Sequence, residues 1–486
     1  MASSTDSRPT TVVWYRLDLR TDDHRPLEYA SKRGRVVPVY IVDATDDLDS
    51  QQSQNMPIGK ASQWWLHHSL QSLSATLDKL GSPLVLRIGN PLHVLSDLCK
   101  EVGADQVAIH ESSDPISQSN DDLIDDQLDQ AGLELVRYSP DLLWSVGSVL
   151  SGAAKPYQVF TPFWNRACQM HVDEPISPPS KLRPPLSSPG SLSLSSLELL
   201  DQIDWSAGFR TRWTPGEPHA ARSFQEFIKN RIDHYHLTRN QMNKPGWSEL
   251  SAPIHFGELS VRRMWHSLTA DPNWKKNPGV AAYLRQLGWH DFAIHLMNHF
   301  PHTVNHPFRN QFDRFPWVAN DKHLSKWQHG TTGYPIVDAA MRNLWAEGWM
   351  PNRARMIVAS FLCKDLLISW KAGADWFWDT LVDADLANNT FGWQWTAGCG
   401  ADAAPYFRVF NPVSQGKKFD PKGAYVRKWV PELAQLPDSV IHAPWEAPPL
   451  TLLNSGVKLG VDYPHPVVDH AQARIQALEA FAKTKS

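Results

Sequence analysis

The sequence predicts two structural parts: an α/β N-terminal domain with a doubly wound parallel sheet, and an all-α C-terminal domain. Up to about residue 140, short apolar runs rich in β-branched residues alternate with helical stretches. This pattern is typical of a parallel sheet covered by helices on both faces. Residues 176–196 are rich in Pro and Ser and indicate an extended connector. Beyond Pro215 helical periodicity dominates to the end.

Five strands are predicted in the first part, separated by amphipathic helices. The predicted strands are residues 11–15, 36–42, 84–89, 106–110 and 133–138. Amphipathic segments at 61–80 and 93–102 predict two of the intervening helices. No GxGxxG motif follows the first strand, so the usual dinucleotide-binding fingerprint is missing from this half.

In the second part, residues 333–349 place Val337, Met341, Leu344 and Trp345 on one helical face. Residues 356–370 are predicted to continue as a largely apolar helix, and 471–483 to form a final amphipathic helix. No repeat of fixed period is present, which excludes a solenoid. We therefore expect the α/β domain at 10–140, a connector at 141–212 and the helical domain at 213–486.

Composition excludes several classes of protein. No apolar run approaches the roughly 18 residues of a membrane helix, and the polar start of the chain argues against a secretory signal. We expect a cytoplasmic protein. The four cysteines are scattered without a CxxC pair, so neither a zinc site nor a disulfide framework is indicated. The formal net charge is −4, so any nucleic-acid contact must come from a local basic patch.

The run WMPNRARM at 349–356 carries unusual chemistry. If a helix begins here, Asn352, Arg355 and Met356 share one face. An amide, a guanidinium and a thioether on one face suit a site that holds an anion beside a flat apolar body. A capped helix with an exposed Arg explains the same residues, and both interpretations stay open at this point.

The run DADLANNTFGWQW at 383–395 combines two acids, two amides and two Trp. A DxD pair can bind a metal, but hard cations take six or more oxygens and no further acids lie nearby. We therefore predict no metal, and a salt bridge from Asp383 to Arg355. Small residues at 398–407 allow the backbone to approach a large ligand.

Two further segments contain candidate site residues. Ser248 and Ser251 precede a predicted helix and either cap it or donate to a diphosphate, capping being favoured on the residues alone. Residues 286–291 (QLGWHD) lie in a helix that carries more Trp and His. The chain has 22 Trp, concentrated after residue 200, and many adjoin Asn, Arg, Gln or Gly. Such sites suit ring stacking or electron transfer.

Residues 213–448 closely resemble the flavin-binding half of class I-like cyclobutane pyrimidine dimer photolyases, in the photolyase/cryptochrome family. The matching runs include GTTGYPIVDAAMRNL, NRARM, ASFLCKDLLISW, DADLANNTFGWQW, GADAAPYFRVFNP, QGKKFDPKGAYVRKWVPEL and DYPHPVVDHAQAR. The N-terminal half matches through VVWYRLDLR and YQVFTPF. The resemblance implies an N-terminal α/β antenna-type domain and a helical domain that holds a U-shaped FAD.

The resemblance also implies which residues contact FAD. They are Tyr235, Trp247, Ser248, Glu249, Leu250, Ser251, Tyr283, Trp349, Asn352, Arg355, Asp383, Ala384, Asp385 and Asn389. Asn389 matches the amide that faces the flavin N5, which favours a stable reduced flavin. Trp393, Trp370 and Trp317 match the family's electron-transfer relay, from the flavin outward.

The implied reaction is the light-driven repair of pyrimidine dimers by an electron from excited reduced FAD. The dimer must leave the DNA stack, since photolyases are base-flipping enzymes. Residues matched to the lesion pocket are Gln286, Trp289, His290, Asn352, Met356, Trp395 and Arg239. Further basic residues suit DNA phosphates or an ordinary solvated face: Lys417, Lys418, Lys422, Arg427 and Lys428. We expect a monomer that acts on DNA carrying pyrimidine dimers.

The sequence departs from the family pattern inside this pocket. Gln286 stands where a Glu is common, His290 replaces an Arg and Pro351 replaces a His. Near the diphosphate, Glu249 stands where a cation is usual, and Trp247 replaces a hydroxyl residue. Gln can hydrogen-bond but cannot carry a charge. These changes keep open a cryptochrome-like photoreceptor without repair activity.

Two other expectations concern lesion type and antenna. Repair of (6-4) photoproducts uses a His pair in the lesion pocket, and Pro351 and Asn352 stand there instead. The positions that bind a folate antenna correspond to Gln54, Ser117 and Asn305, and none keeps the expected residue type. The antenna is therefore absent or of a different chemical class.

Overall fold

The computed structural model describes residues 8–43, 58–244, 246–403 and 407–484. Its N-terminal part contains one five-stranded parallel sheet of order β3-β2-β1-β4-β5. The strands are β1 (Thr10–Tyr15), β2 (Arg35–Val42), β3 (Val85–Ile88), β4 (Gln106–His110) and β5 (Glu134–Tyr138). All five lie within two residues of the predicted strands, which confirms the doubly wound α/β fold.

Four helices cover the two faces of the sheet. They are α1 (Arg25–Arg33), α2 (Lys60–Leu80), α3 (Pro91–Val102) and α4 (Pro115–Gln130). Side chains of β1 alternate between the faces: Val13 and Tyr15 pack with α2, whereas Val12 and Trp14 pack with α3. Because both faces are covered, β1 is buried along its whole length and apolar from Val12 to Tyr15.

The connector predicted at 176–196 has no helix or strand before a short 3₁₀ turn at Leu194–Leu197. It lies against the end of α2 and the edge strand β3, because the Leu182 amide donates to the Leu80 carbonyl at 2.7 Å and the Leu192 amide to the Leu86 carbonyl at 3.0 Å. The domain boundaries at 140/141 and 212/213 stay predictions.

The second part is helical throughout. Its helices are α5 (Phe160–Ala167), α6 (Ala207–Arg212), α7 (Glu217–Asn230), α8 (Tyr235–Thr238), α9 (Ser251–His255), α10 (Val261–Thr269), α11 (Pro278–His299), α12 (Asp321–Gln328), α13 (Pro335–Glu347), α14 (Asn352–Ser360), α15 (Trp370–Thr380), α16 (Leu386–Ala397), α17 (Pro412–Phe419), α18 (Ala424–Trp429), α19 (Pro449–Asn454) and α20 (His470–Lys483). In the part of the chain that the structure describes, none of the helices combines the length and apolar character that crossing a bilayer requires.

Two predictions about helices were wrong in detail. Residues 356–370 are not one helix: α14 ends at Ser360, a π-helical turn follows at Phe361–Asp365, and α15 begins at Trp370. Trp345 does not share the buried face of α13, since 65% of it is exposed. It stacks instead on Trp376 of α15, with ring centroids 5.9 Å apart.

One apolar core joins the two parts of the molecule. It contains Tyr15 of β1 and Trp65 of α2 together with Phe209, Phe256 and Trp349 from the connector and the helical part. The site described below lies on the helical side of this shared core.

Candidate functional site

The first wall of the site is one face of α11. Gln286, Trp289 and His290 lie at i, i+3 and i+4 and are only half-buried, whereas Leu287 and Asp291 beside them are buried. The Trp289 ring stacks on Phe160 of α5, with centroids 3.7 Å apart and planes 10° from parallel. These three predicted lesion-pocket residues therefore form one open face with a rigid aromatic centre.

The second wall is α16, which packs against α11. Asp385 is the N-cap of α16 and accepts the Asn388 backbone amide at 2.8 Å. Asn389, one turn on, donates its side-chain amide to the Ala374 carbonyl at 3.0 Å. Gly392 follows on the same face, and a Cβ built there would contact nothing within 4 Å. Trp395 ends this face and donates Nε1 to the Asp402 carbonyl at 3.1 Å.

Gly392 is an exposed residue on the same face as Asn389 that sequence reasoning did not single out. A glycine inside a helix lowers helix stability by about 1 kcal/mol relative to alanine. One reason for a glycine at such a position is that a ligand approaches the backbone closely there. Its position one turn after Asn389, on the polar face of α16, is the signal that could have identified it.

Arg355 and Asp383 form the predicted ion pair. Nη2 of Arg355 lies 2.8 and 3.0 Å from the two oxygens of Asp383, and Nε donates to the Met350 carbonyl at 3.1 Å. The Asp383 side chain is only 3% exposed. Asn352 and Met356 share the predicted face of α14, with Nδ2 and Sδ 3.9 Å apart. The interpretation of this run as a polarised site, rather than a capped helix alone, therefore has structural support.

The segment 247–251 leads into α9, and the start of this helix is not capped as predicted. The N-cap of α9 is Leu250, and no side chain caps this end, so the expectation that Ser248 or Ser251 caps the helix was wrong. Ser251 is instead the first residue of the helix. Burial is the largest cause of the raised pKa of Tyr283, and a hydrogen bond with Ser248 opposes it. Ser248 is thus oriented toward α11.

Aromatic rings surround the same segment. Trp247 packs edge-on against Trp349 at 5.5 Å, and Tyr235 packs edge-on against Tyr283 at 5.2 Å. Leu250 is fully buried among apolar residues. These predicted FAD contacts belong to two apolar clusters, with Trp247 and Trp349 in one and Tyr235, Leu250 and Tyr283 in the other.

Glu249 has the positive φ of 62° and forms an ion pair with Arg212. Arg212 also lies 3.6 Å from Glu347. The negative charge that looked unfavourable for a diphosphate is therefore neutralised by a cation from α6. Arg231, which sequence reasoning missed, donates to the Trp247 carbonyl at 2.9 Å and brings a guanidinium to this segment.

The three predicted relay residues pack in one core. Trp393 and Trp370 are buried there, and Trp317 packs against it partly exposed. The Trp393 ring lies 4.9 Å from the ring of Phe377 and 6.1 Å from that of Trp327. Their order from the flavin outward and their function in electron transfer stay predictions.

Carboxylates and imidazoles face one another between the two walls. Burial alone would raise the pKa of Asp385, but His255, His290 and the Asn388 amide outweigh it and hold that pKa far below the usual range. Burial would lower the pKa of His290, but Asp291 and Asp385 outweigh it and raise that pKa. The site therefore keeps an ionised carboxylate and favours an imidazolium.

The predicted basic residues differ in their surroundings. Arg427 donates to the Ala434 and Leu436 carbonyls at 3.0 and 2.6 Å and pairs with Asp438, so it holds the chain after α18. Lys417, Lys418 and Lys422 are exposed, and Lys428 reaches Glu347 at 3.2 Å. Arg239 lies over the Tyr235 ring at 5.9 Å, at the edge of the site.

Among the described residues, one buried cluster has metal-ligand types: Asp18, His24 and His110. Both imidazoles lie 2.9 Å from the same oxygen of Asp18. Nδ1 of His24 already accepts the Leu27 amide at 3.1 Å, so its proton is on Nε2, and His110 Nδ1 is hydrogen-bonded to Asp18 at 2.9 Å. A metal would need Nε2 of His24 bare, so the cluster is better explained as a hydrogen-bond network.

Two of the three predicted antenna positions lie in the described part of the chain. Gln54 lies outside the described residues. Ser117 is in the first turn of α4, where its amide binds Asp114, and Asn305 is exposed after α11. The identity of an antenna stays open.

Comparison with known proteins decides the family. The chain is 43% identical to the deoxyribodipyrimidine photo-lyase of Agrobacterium fabrum over 98% of both chains. The chain belongs to the photolyase/cryptochrome family. Family models for DNA photolyase and for the FAD binding domain of DNA photolyase match residues 11–181 and 283–483.

The chain is similar to photolyases and also to cryptochromes. The chain is 35% identical to Cryptochrome-2 of Arabidopsis thaliana over 98% of this chain and 79% of that protein. A solved bacterial class III photolyase from Agrobacterium tumefaciens superposes with a TM-score of 0.94 at 42% identity, covering 99% of this chain and all of that one. The family and the two-part fold predicted from the sequence are confirmed, and FAD is the cofactor of this photolyase/cryptochrome protein.

The site fits FAD on its own observations. Nε1 of Trp247 and Nε of Arg231 are buried without a hydrogen-bond partner within the described ranges, and the buried Nδ1 of His255 lies 3.8 Å from Asp385, beyond hydrogen-bond distance. Buried donors of this kind normally have a partner, and a polar ligand between α9, α11 and α16 would provide one. The open space at Gly392 offers room for it. Asn352, Arg355 and Asn389 supply the donors that suit the polar edge of a flavin.

Proposed function

We propose that this protein repairs cyclobutane pyrimidine dimers in DNA in a light-dependent reaction. The observation that carries the proposal is the pairing of two open helix faces. Gln286, Trp289 and His290 lie half-buried on α11, α16 packs against that helix, and Asn389 and Trp395 lie half-buried on α16. An indole on each wall suits a flat, flipped-out pyrimidine pair.

Each group of residues has a distinct task in this mechanism. FAD, once bound and reduced, supplies an electron to the dimer when it absorbs light. Asn352, Arg355 and Asn389 hold the polar edge of the flavin in place, and the Arg355–Asp383 pair fixes the guanidinium. Trp289 and Trp395 enclose the dimer and exclude water. Gln286 hydrogen-bonds a pyrimidine edge without contributing charge.

A direct test is to illuminate the purified, reduced holoprotein with an oligonucleotide that contains one thymine dimer. The proposal predicts loss of the dimer in light and none in darkness. An oligonucleotide with a (6-4) photoproduct serves as the matched substrate control and should be left unchanged. No light-dependent dimer loss from a protein with a normal flavin spectrum would refute the proposal.

The alternative is a cryptochrome-like photoreceptor without repair activity. Gln286, His290 and Pro351 favour it, because they change the pocket where dimers would bind. It predicts a normal flavin spectrum and photoreduction together with the absence of dimer repair. The same experiment therefore distinguishes the two functions.

The proposed relay has its own test. Trp393→Phe should slow photoreduction of oxidised FAD, because the oxidisable ring next to the flavin is lost. Repair by protein that has been reduced beforehand should change little. Trp327→Phe, at the neighbouring buried indole, is the matched control. Equal loss of photoreduction and repair in Trp393→Phe would contradict the relay.

A further inference from the structure

His290 lies at the boundary between the core and the open face of α11. Its side chain is 21% exposed, whereas the adjacent Asp291 side chain is 4% exposed. Trp289, the neighbouring residue of the same face, is held flat against Phe160. The imidazole therefore stands next to the aromatic wall on which, by the proposed function, the dimer rests.

Acidic groups from three elements surround the imidazole. Asp291 of α11 lies 3.2 Å from Nδ1, through the oxygen that is not bound by the Leu143 and Trp144 amides. Asp385 faces His290 from the start of α16, and Asp141 from the chain before α5. Two further groups stand behind these acids: the imidazole of His255 of α9, 3.8 Å from Asp385, and the guanidinium of Arg20, 2.9 Å from Asp141.

The two ring nitrogens of His290 have different surroundings. Nδ1 is engaged with the Asp291 carboxylate, while Nε2 has no hydrogen-bond partner among the described residues. Protonation of His290 therefore changes the hydrogen-bonding character of Nε2, the nitrogen that is free to contact a ligand. In the neutral ring Nε2 is an acceptor, since Nδ1 carries the proton toward Asp291, and in the imidazolium Nε2 becomes a charged donor.

Building on the proposed function, we propose that protonated His290 donates its Nε2–H to a carbonyl oxygen of the pyrimidine dimer. A dimer that accepts an electron gains negative charge on its carbonyl oxygens. A hydrogen bond from a cation stabilises such charge more than one from a neutral amide. His290 thus provides the charged donor that Gln286 cannot, and the proton stays on the imidazole throughout.

The proposal has a definite pH dependence. The imidazolium is present below the pKa of His290 and is lost as the pH rises through it. Because Asp291 and Asp385 raise that pKa against the opposing effect of burial, the donor persists to higher pH than with an ordinary histidine. An arginine at this position would not titrate in this range.

The experiment measures two quantities on the flavin-loaded protein between about pH 6 and about pH 9, around the ordinary histidine value. One is the ratio of dissociation constants, in darkness, for undamaged and dimer-containing oligonucleotides. Taking the ratio cancels the effect of pH on phosphate contacts. The other is the repair rate of the reduced protein in light.

We expect both quantities to fall about tenfold in the native protein as His290 loses its proton, the size of one charge-assisted hydrogen bond. In His290→Gln, the binding ratio and the repair rate should both be low and independent of pH. In His290→Arg, both should be independent of pH and should exceed the values of the native protein at the alkaline end. His299→Gln, on the same helix with its ring against His295, is the matched control and should keep the native profile.

Two results would overturn the proposal: a native profile that is flat in both quantities, or a His290→Gln profile that follows the native one. The visible spectrum shows whether His290→Gln retains FAD. If it does not, the pH profiles of the native protein and of His290→Arg still test the proposal. Failure of the proposed function is separate, because a native protein that holds FAD yet repairs no dimer at any pH contradicts dimer repair itself.

Discussion

Asp383 is a buried carboxylate whose only cationic partner among the described residues is Arg355. Taking such a group out of water costs several kcal/mol unless a counter-charge remains beside it. The pair joins the start of α14 to the turn before α16, so it fixes the two elements that carry Asn352 and Asn389.

Arg355→Met should destabilise the protein by about 3 kcal/mol, because Asp383 is left buried without a cation. Denaturant unfolding of the flavin-loaded and flavin-free proteins measures this change. Adding Asp383→Asn to Arg355→Met should recover part of the stability, since the unpaired charge is gone. A single variant as stable as the native protein would show that Asp383 does not depend on Arg355.

The Arg355–Asp383 pair was predictable from two short runs of sequence, whereas other residues of the site were not. Ser251 looked like a helix cap, but α9 begins at Ser251 itself, one residue after the buried Leu250. Helix starts depend on the backbone conformation of neighbouring residues, which composition does not reveal. Arg231 was missed because its role depends on a tertiary contact with the Trp247 carbonyl.

At the scale of elements, the break between α14 and α15 shows the limit of sequence periodicity. The segment FLCKDLL contains no Pro or Gly, yet the helix becomes a π-helical turn at Phe361–Asp365. Tertiary contacts account for it: Lys364 donates to the Arg408 carbonyl, and Asp365 binds His470 of α20 at 2.5 Å. Leu367 then takes a φ of 53°, which ends the helix. The strands, by contrast, were predictable because buried parallel strands are continuous apolar runs.

Two glycines on adjacent helices should respond oppositely to the same substitution. Gly392→Ala in α16 places a Cβ in open space, so it should stabilise the flavin-free protein by up to about 1 kcal/mol through helix propensity. If a ligand occupies that space, the variant should also bind FAD or dimer-containing DNA more weakly. Thermal unfolding and equilibrium binding measure the two effects.

Gly373→Ala in α15 is the matched control, because its Cβ would lie 2.0–2.6 Å from the Trp393 ring. Helix propensity favours this change equally, but the clash with a buried indole should destabilise the protein. A stabilised Gly373→Ala, or a Gly392→Ala that binds both ligands normally, would contradict the assigned geometry.

At the scale of the whole molecule, Glu258 joins the two parts. It lies between α9 and α10, fully buried, and accepts hydrogen bonds from Trp65 Nε1 of α2 at 3.0 Å and the Gly216 amide at 2.8 Å. Burial raises the pKa of this carboxyl to about 7, although these hydrogen bonds and that of Ser69 oppose the increase.

The raised pKa predicts a pH-dependent stability. Between the ordinary carboxyl value of 4.5 and about 7, the folded protein holds a proton that the unfolded chain has released. The free energy of unfolding should therefore fall as the pH rises through this window, by at most roughly 3 kcal/mol from this group. Glu258→Gln should remove the decline, measured by denaturant unfolding at several pH values. Glu226→Gln, at an exposed glutamate, should retain it.

The core that contains Tyr15, Trp65, Phe256 and Trp349 belongs to neither part alone. Cutting the chain between them would leave large aromatic surfaces in contact with water on both fragments. The α/β part and the helical part should therefore unfold together as one cooperative unit. Scanning calorimetry should record a single endotherm for the intact chain, and neither half expressed separately should show a sharp melting peak.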